Sequence, residues 1–232
     1  MIVSGLQKLT LLDYPGKTAC IIFTRGCNFR CPFCHNADLV IGKDAPVIKE
    51  AEVFAYLEKR KKLLEGVVIS GGEPLLHKET KELIARIKGM GFAVKLDTNG
   101  SFPERLRELL DEGLIDYVAM DIKNGPDAYG QTAGVSFDLV GDKIRESIRL
   151  IMTSGVDYEF RTTVAWGLHT EESVRSAASL IKGAKRYFIQ NYKEGDTVLV
   201  PEGQHPFNKP SLERFVEVAR EFVPDTFLRG EE

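Results

Sequence analysis

Residues 18–34 read TACIIFTRGCNFRCPFC, and the interpretation of the whole chain depends on this stretch. Its first part, 18–24, is a short apolar run typical of a buried strand. Three cysteines follow directly, Cys27, Cys31 and Cys34, in the spacing C-x3-C-x2-C. Thiols this close together in a reducing compartment suggest metal ligation rather than disulfide bonds. The stretch therefore predicts a buried strand that leads into a metal-binding loop.

Similar apolar runs recur along the chain and alternate with segments of helical periodicity. Strands are predicted at residues 18–24, 66–70, 92–97, 115–121, 158–164 and 186–191. Helices are predicted at residues 49–62, 79–90, 104–110, 142–152, 173–182 and 212–222. This alternation indicates βαβ units and a parallel sheet. About six such units fall short of the eight of a closed barrel, so we predict an α/β fold, a partial (βα)6 TIM-like barrel.

The composition is that of an ordinary globular protein. The chain has 232 residues, a net charge of −3 and no low-complexity segment, so residues 1–232 are expected to form a single domain. Charges of both signs are mixed, which argues against a nucleic-acid-binding face or a polybasic membrane anchor. The amino terminus lacks the layout of a signal peptide, and no apolar stretch is long enough to cross a bilayer. We therefore expect a cytoplasmic protein.

The cysteines lie where catalytic groups gather in parallel α/β folds, just after the carboxyl end of a strand. Iron–sulfur clusters are held by cysteine thiolates in closely spaced loops of this kind. A cubane of four irons with only three protein ligands keeps one iron open to a substrate, as a catalytic metal site requires. Residues 195–210, rich in proline and glycine, are expected to form a loop across the barrel mouth.

Two other interpretations of the cysteines stay open at this point. A structural zinc ion could be bound by the three cysteines and His35, although adjacent ligands such as Cys34 and His35 fit a tetrahedron poorly. The grouping could also be a chance cluster of buried thiols. The fourth cysteine, Cys20, lies inside the apolar run 18–24 and is expected to be a core residue rather than a further ligand.

The pattern C-x3-C-x-aromatic-C, with Phe33 as the aromatic residue, resembles the hallmark of the radical S-adenosylmethionine (radical SAM) superfamily. The motif GGEP at residues 71–74 follows a predicted strand and is similar to a second motif of that superfamily. The resemblance implies a 4Fe–4S cluster on three cysteines, with the amino and carboxylate groups of S-adenosylmethionine on the fourth iron. It also implies one-electron cleavage of this cofactor to methionine and a 5′-deoxyadenosyl radical.

Further motifs narrow the resemblance to the activating enzymes of glycyl radical enzymes. These motifs are DYPG at 13–16, CHN at 34–36, LDTNG at 96–100 and MDIK at 120–123. Residues 5–17 resemble the branch of anaerobic ribonucleoside-triphosphate reductase activating proteins, and the chain is also similar to pyruvate formate-lyase activating enzyme. The resemblance implies an oxidoreductase that makes a glycyl radical on a partner enzyme under anaerobic conditions, with flavodoxin or ferredoxin as reductant. A small-molecule substrate is the alternative.

The resemblance also implies roles for single residues. The implied cluster ligands are Cys27, Cys31 and Cys34. The residues implied to contact the cofactor are Phe33, His35, Gly71, Gly72, Glu73, Asp97, Thr98, Asp121, Ile122, Lys123 and Arg161. Of these, the residues implied to form a monovalent-cation site, together with the Ala119 carbonyl oxygen, are Asp97, Thr98 and Asp121. Asp13 is implied to face the target peptide.

Several of these residues have a structural alternative, and one position departs from the group. Asp97 and Thr98 could simply begin a turn at residues 99–100, and Arg161 could pair with a nearby carboxylate. The activating enzymes have a histidine near the end of the sixth strand, whereas this sequence has Lys193 at the equivalent place. Because this edge meets the target, the identity of the partner stays open.

Overall fold

The computed structural model describes residues 3–41, 46–195, 197–200 and 202–230. Their strands form one sheet whose spatial order follows the chain order. The strands are β1 Val3–Thr10, β2 Ala19–Thr24, β3 Gly66–Gly71, β4 Ala93–Thr98, β5 Tyr117–Asp121, β6 Asp157–Val164, β7 Tyr187–Asn191 and β8 Thr226–Arg229. β1 is antiparallel to β2, and all other neighbours are parallel. Among the described strands β1 and β8 do not pair with each other, so the barrel is open on one side.

The helices pack against one face of this sheet. Their bounds are α1 Ala37–Ile41, α2 Glu50–Arg60, α3 Thr80–Gly89, α4 Pro103–Asp111, α5 Tyr129–Ala133, α6 Phe137–Thr153, α7 Glu171–Leu180 and α8 Lys209–Arg220. The longest, α6, begins after Ser136, whose side chain accepts a hydrogen bond from the Asp138 amide at 3.3 Å. This cap starts the helix five residues before the predicted 142, because a cap satisfies amide groups that the apolar periodicity does not reveal.

The six predicted strands are confirmed as β2 to β7, and the predicted α/β partial barrel is confirmed with them. The two edge strands are additions to the prediction. β1 contains Gly5 and an exposed run at residues 7–9, so it lacks the apolar pattern of a buried strand. β8 has only four residues, and its Phe227 is exposed. Edge strands pair on one side only, which is why their sequences are less apolar than those of central strands.

Alternate side chains of each strand point to the two faces of the sheet. The outer face packs against the helices in the main core. The inner face is apolar near the amino ends of the strands, where Ile21, Val68 and Tyr117 form a second cluster. Towards the carboxyl ends the inner face is charged, with Asp97 on β4 and Arg161 on β6. The fold therefore places ionised groups inside the barrel at the edge where chemistry is expected.

Cys20 lies on the outer face of β2, within the core formed with α2, and is completely buried. The expectation that it is a core residue is confirmed. The other described cysteines follow β2 in the loop that leads to α1.

The expected loop at 195–210 runs beside the cysteine loop. Residues 196 and 201 lie outside the described residues. The Leu199 amide donates to the Cys34 carbonyl at 3.1 Å, and the Val200 amide donates to the Pro32 carbonyl at 2.9 Å. None of the helices in the described ranges is both long and apolar enough to cross a bilayer.

Candidate active site

A cavity of about 450 Å³ lies inside the barrel. Most of its wall comes from the carboxyl ends of the parallel strands and from the loops that follow them, as expected for this architecture. Asp13 also lines it, although Asp13 lies in the turn between β1 and β2, near the amino ends of the parallel strands. The turn after β1 therefore contributes one side chain to a cavity that is otherwise built at the carboxyl ends of the parallel strands.

All three predicted cluster ligands line this cavity: Cys27, Cys31 and Cys34. Arg30 holds the loop that carries them. Its amide donates to the Ala133 carbonyl at 2.8 Å, and its guanidinium group donates to the carbonyl oxygens of Cys27 and Phe29 at 2.6 and 2.8 Å. These bonds tie the loop to itself and to α5 and so help to position the thiols.

The sulfur atoms lie in an environment suited to a metal cluster. Burial raises the pKa of Cys27 to about 11 and that of Cys31 to about 12, so without metal these thiols hold their protons. Metal binding takes the place of those protons. The Cys27 sulfur accepts from the Phe29 amide at 3.3 Å and from the Asn99 side-chain amide at 3.8 Å. Such bonds stabilise a coordinated thiolate and tune a cluster's potential.

The donor set on this wall of the cavity consists of three cysteine thiols. Within the described residues, no three or more His, Cys, Asp or Glu side chains are gathered closely enough to hold one metal ion. The three thiols nevertheless share one cavity wall. Iron–sulfur clusters are held by cysteine thiolates, so the chemistry of this donor set fits such a cluster.

Gly71 and Gly72 bring the end of β3 against the cysteine loop. A β-carbon on Gly71, whose φ is +124°, would lie 2.3 Å from backbone atoms of Thr24. A β-carbon on Gly72 would lie 1.9 Å from the Gly26 carbonyl oxygen. Only glycine permits this approach, and both glycines line the cavity.

The opposite wall carries an ion-pair network. Arg161 on β6 contacts two aspartates: its Nε lies 2.9 Å from Asp121 Oδ1, and its Nη1 lies 3.5 Å from Asp97 Oδ2. Lys123 Nζ lies 3.0 Å from Asp121 Oδ2, and Lys95 pairs with Asp97. Burial alone would raise the pKa of both carboxyls, but the charges of Arg161 and of Lys123 or Lys95 outweigh it. They lower the pKa of Asp121 to about 2 and hold that of Asp97 below its usual range.

The sequence profile of the Radical SAM superfamily matches residues 21–181. The chain belongs to this superfamily. It is 34% identical over 232 residues to a protein of Methanocaldococcus jannaschii named "Putative glycyl-radical enzyme activating enzyme", covering 98% of this chain and 95% of that one. It is 26% identical over 193 residues to the pyruvate formate-lyase-activating enzyme of Clostridium pasteurianum, covering 79% of this chain and 77% of the relative.

A solved structure agrees on the fold. Streptococcus suis SuiB bound to S-adenosylmethionine superposes with a TM-score of 0.71 at 15% identity, over 90% of this chain and 50% of SuiB. The chain thus spans about half the length of SuiB. At this identity the likeness shows the shared radical SAM fold, whose family implies a 4Fe–4S cluster and S-adenosylmethionine.

Most of the residues that the radical SAM resemblance singles out meet at the cavity. The predicted residues that line it, besides the cysteines, are Asp13, Phe33, His35, Gly71, Gly72, Asp97, Thr98, Asp121, Lys123 and Arg161. Phe33 is buried against the His169 ring at 6.2 Å, and the exposed His35 stacks on Tyr192 at 5.6 Å. Lys193 is exposed and does not line the cavity.

Glu73 and Ile122 do not reach the cavity. Glu73 is fully buried, and its carboxylate accepts from the amides of Leu75 and Asn99 at 2.9 and 2.7 Å and from the Thr98 hydroxyl at 2.8 Å. It therefore joins the loop after β3 to the loop after β4. The Ile122 side chain is also fully buried, and its amide donates to the Arg161 carbonyl at 2.8 Å. Both residues support the site from behind its wall.

The implied monovalent-cation site does not fit this structure. Both carboxylates meant to bind the ion, those of Asp97 and Asp121, are already paired with cationic side chains. The Thr98 hydroxyl donates to Glu73, and its oxygen accepts from the Gly100 amide at 3.1 Å. The side-chain oxygens that the resemblance implies for binding a metal ion are therefore engaged by protein donors in this structure.

Three residues at or beside the cavity were not assigned a role from the sequence, and two of them lie within the quoted motifs. Asn99, in LDTNG, contacts the Cys27 sulfur and lines the cavity. Asn36, in CHN, donates to the Gly71 carbonyl at 3.1 Å. Lys95 immediately precedes LDTNG, and a lysine in an apolar strand was the signal that could have found it.

Replacing Gly72 with alanine is expected to impair cluster binding. The added β-carbon would overlap the Gly26 carbonyl next to Cys27, so the cysteine loop must move, at a cost of about 3 kcal/mol. Iron and sulfide content after anaerobic reconstitution measures the effect. Gly89→Ala in α3 is the matched control, because nothing lies within 4 Å of its β-carbon. Equal iron content in both variants would contradict this role of Gly72.

Proposed function

We propose that this chain is a radical SAM activase, which reductively cleaves S-adenosylmethionine at a 4Fe–4S cluster and generates a glycyl radical on a partner enzyme. The observation that carries the proposal is the shared cavity, in which the buried Cys31 and the partly buried Cys27 and Cys34 line the same space as a wall of ionised side chains. The relatives named above support the choice of substrate class, since both bear the name of activating enzymes.

Each wall of the cavity has a different task in this proposal. Cys27, Cys31 and Cys34 hold the cluster and leave one iron for the cofactor. When bound, the cluster and S-adenosylmethionine supply the electron and the sulfonium bond whose cleavage starts the radical chemistry. Lys123 and Arg161 attract the cofactor carboxylate through charge-assisted hydrogen bonds. Phe33, which is 5% exposed, provides an apolar surface that excludes water from the reacting centre.

The turn that carries Asp13 supports a protein loop as substrate. Asp13 both lines the cavity and is exposed in the turn after β1, so a peptide bound at this turn lies beside the cavity. Leu11 and Leu12 in the same turn are 67% and 88% exposed. Exposed apolar side chains beside a functional cavity are typical of protein interaction sites.

The proposal is tested with anaerobically reconstituted protein, S-adenosylmethionine and a reductant such as reduced flavodoxin or ferredoxin. We expect 5′-deoxyadenosine without any partner, and a glycyl radical signal in electron paramagnetic resonance when a glycyl radical enzyme encoded by the same organism is added. Nucleoside release without a radical on any such enzyme would point to a small-molecule substrate. Absence of nucleoside release from protein with a full cluster would overturn the proposal.

Changing Leu11 and Leu12 to aspartate is expected to reduce activation of the partner about tenfold or more, because each desolvated leucine contributes about 1.5–3 kcal/mol at an interface. The yield of glycyl radical per chain measures this effect. Uncoupled 5′-deoxyadenosine formation should persist, since neither leucine lines the cavity. Leu139→Asp on α6 is the control, because Leu139 is 75% exposed, lies on a different element and does not line the cavity. Equal losses in the two proteins would refute docking at the turn.

A further inference from the structure

A buried lysine lies beside the carboxylate that the family resemblance implies for a monovalent cation. Lys95 is 1% exposed and pairs with Asp97. The two residues are two positions apart on β4, so both side chains project into the barrel interior. We propose that the Lys95 ammonium group takes the place of a monovalent cation, so that this chain binds S-adenosylmethionine without one. The inference rests on the proposed function, since it concerns the same cofactor site.

The hydrogen-bond partners of the two aspartates carry the argument. On Asp97, Oδ1 faces Lys95, while Oδ2 accepts from the Ser70 hydroxyl at 3.1 Å and lies 3.5 Å from Arg161. On Asp121, Oδ1 faces Arg161 at 2.9 Å and Oδ2 faces Lys123 at 3.0 Å. Every carboxylate oxygen therefore has a cationic partner, and an added metal ion would have to share an oxygen with one of these cations or displace it.

The charge balance points the same way. The ion pairs of the two aspartates hold three cations, Lys95, Lys123 and Arg161, against two anions, which leaves one positive charge in excess. The neighbouring Glu159 also interacts with Arg161 and Lys95, but it is paired with Arg229 and leaves this balance unchanged. A further cation would be repelled in this buried setting. The carboxylate of S-adenosylmethionine would instead neutralise the excess. A cofactor carboxylate completes this network, whereas an additional ion unbalances it.

Lysine is suited to act as a tethered cation. Its ammonium group is a compact point charge, and attachment to β4 removes the cost of capturing a free ion. The Tyr117 ring lies 5.9 Å from the ammonium nitrogen and presents an additional favourable surface to the charge. The residue thus has both an anionic partner and an aromatic neighbour in the barrel interior.

The first test uses the unmodified protein with its cluster reconstituted. The affinity for S-adenosylmethionine is measured by equilibrium dialysis in potassium chloride, in sodium chloride and in choline chloride at equal ionic strength. We expect the dissociation constants to agree within about twofold, because no small cation is needed. A markedly weaker affinity in choline chloride alone would overturn the inference.

The second test compares two variants of Lys95. In Lys95→Ala the vacated space admits a small ion, so the affinity should fall on the order of tenfold in choline chloride and recover in potassium chloride. Lys95→Met removes the charge but fills the space, so potassium should restore little. Lys88→Ala is the control, because Lys88 also pairs with an aspartate, Asp116, away from the cavity.

Diffraction gives a readout that does not depend on the cofactor. Crystals grown in rubidium chloride should show no anomalous peak beside Asp97 in the unmodified protein, and one in Lys95→Ala. A peak in the unmodified protein, or a folded Lys95→Ala that has neither a peak nor potassium sensitivity, would overturn the inference. If S-adenosylmethionine fails to bind in every salt, the proposed function falls, while the rubidium result still decides the role of Lys95.

Discussion

Replacing Cys31 with serine is expected to abolish cluster binding and, with it, cleavage of S-adenosylmethionine. Cys31 is buried in the cavity wall, and a serine oxygen is a poor substitute for a soft thiolate that ligates iron–sulfur clusters. Iron content and the visible absorption of the reconstituted protein should fall to background. Release of 5′-deoxyadenosine in the presence of dithionite should fall with them.

Cys20→Ala is the matched control for this variant. Cys20 is also fully buried, but it faces α2 on the outer side of the sheet and does not line the cavity. Its replacement should lower the free energy of unfolding by about 1 kcal/mol while the iron content stays unchanged. Loss of iron from Cys20→Ala, or a full cluster in Cys31→Ser, would mean that the cluster ligands have been assigned wrongly.

The central strands could be predicted from the sequence because they have a clear apolar pattern. Strands such as β3, Gly66–Gly71, are buried on both faces and read as continuous apolar runs. The turn after each one carries the polar motifs, so strand order and site position follow from the same rule. The edge strand β1 was not predicted, because about half of it is exposed and its sequence is therefore not a continuous apolar run.

The cofactor wall could be predicted as a set of residues but not as a set of contacts. Glu73 and Thr98 lie 25 positions apart, and only the folded chain shows that Thr98 donates to Glu73. The same limit applies to Lys95, whose sequence neighbours are apolar although its side chain reaches Asp97 in the barrel interior. Motifs locate polar residues at strand ends, whereas the partner of each one depends on register between strands.

Arg161 joins the two aspartates of the cofactor wall, so its loss should have the second largest effect. Arg161→Met leaves two partly buried carboxylates, 16% and 30% exposed, with one cationic partner each. Removing one member of a fully buried ion-pair network costs about 3–5 kcal/mol, so the loss here should be below that range but above that of a surface pair. The midpoint of urea unfolding should fall accordingly. The affinity for S-adenosylmethionine should also drop by about tenfold or more, because a donor for the cofactor carboxylate is lost.

The pH dependence of stability gives this prediction a second readout. Asp121 has its pKa lowered from 3.8 to about 2, and this lowering contributes stability that is complete above pH 3.8 and disappears as the pH falls through about 2. In Arg161→Met the carboxyl pKa moves back towards its ordinary value, so the loss of stability between pH 4 and 2 should be shallower. Urea unfolding at several pH values in this range measures the slope.

Two further variants separate the charge of Arg161 from its geometry. Arg161→Lys keeps the charge but cannot reach both aspartates with a planar guanidinium group, so we expect an intermediate loss of affinity. Arg107→Met is the external control, because Arg107 pairs with Glu146 at the surface, where an ion pair contributes only about 0–1 kcal/mol. If Arg161→Met is no less stable than Arg107→Met and binds the cofactor equally well, the ion-pair wall has no part in binding S-adenosylmethionine.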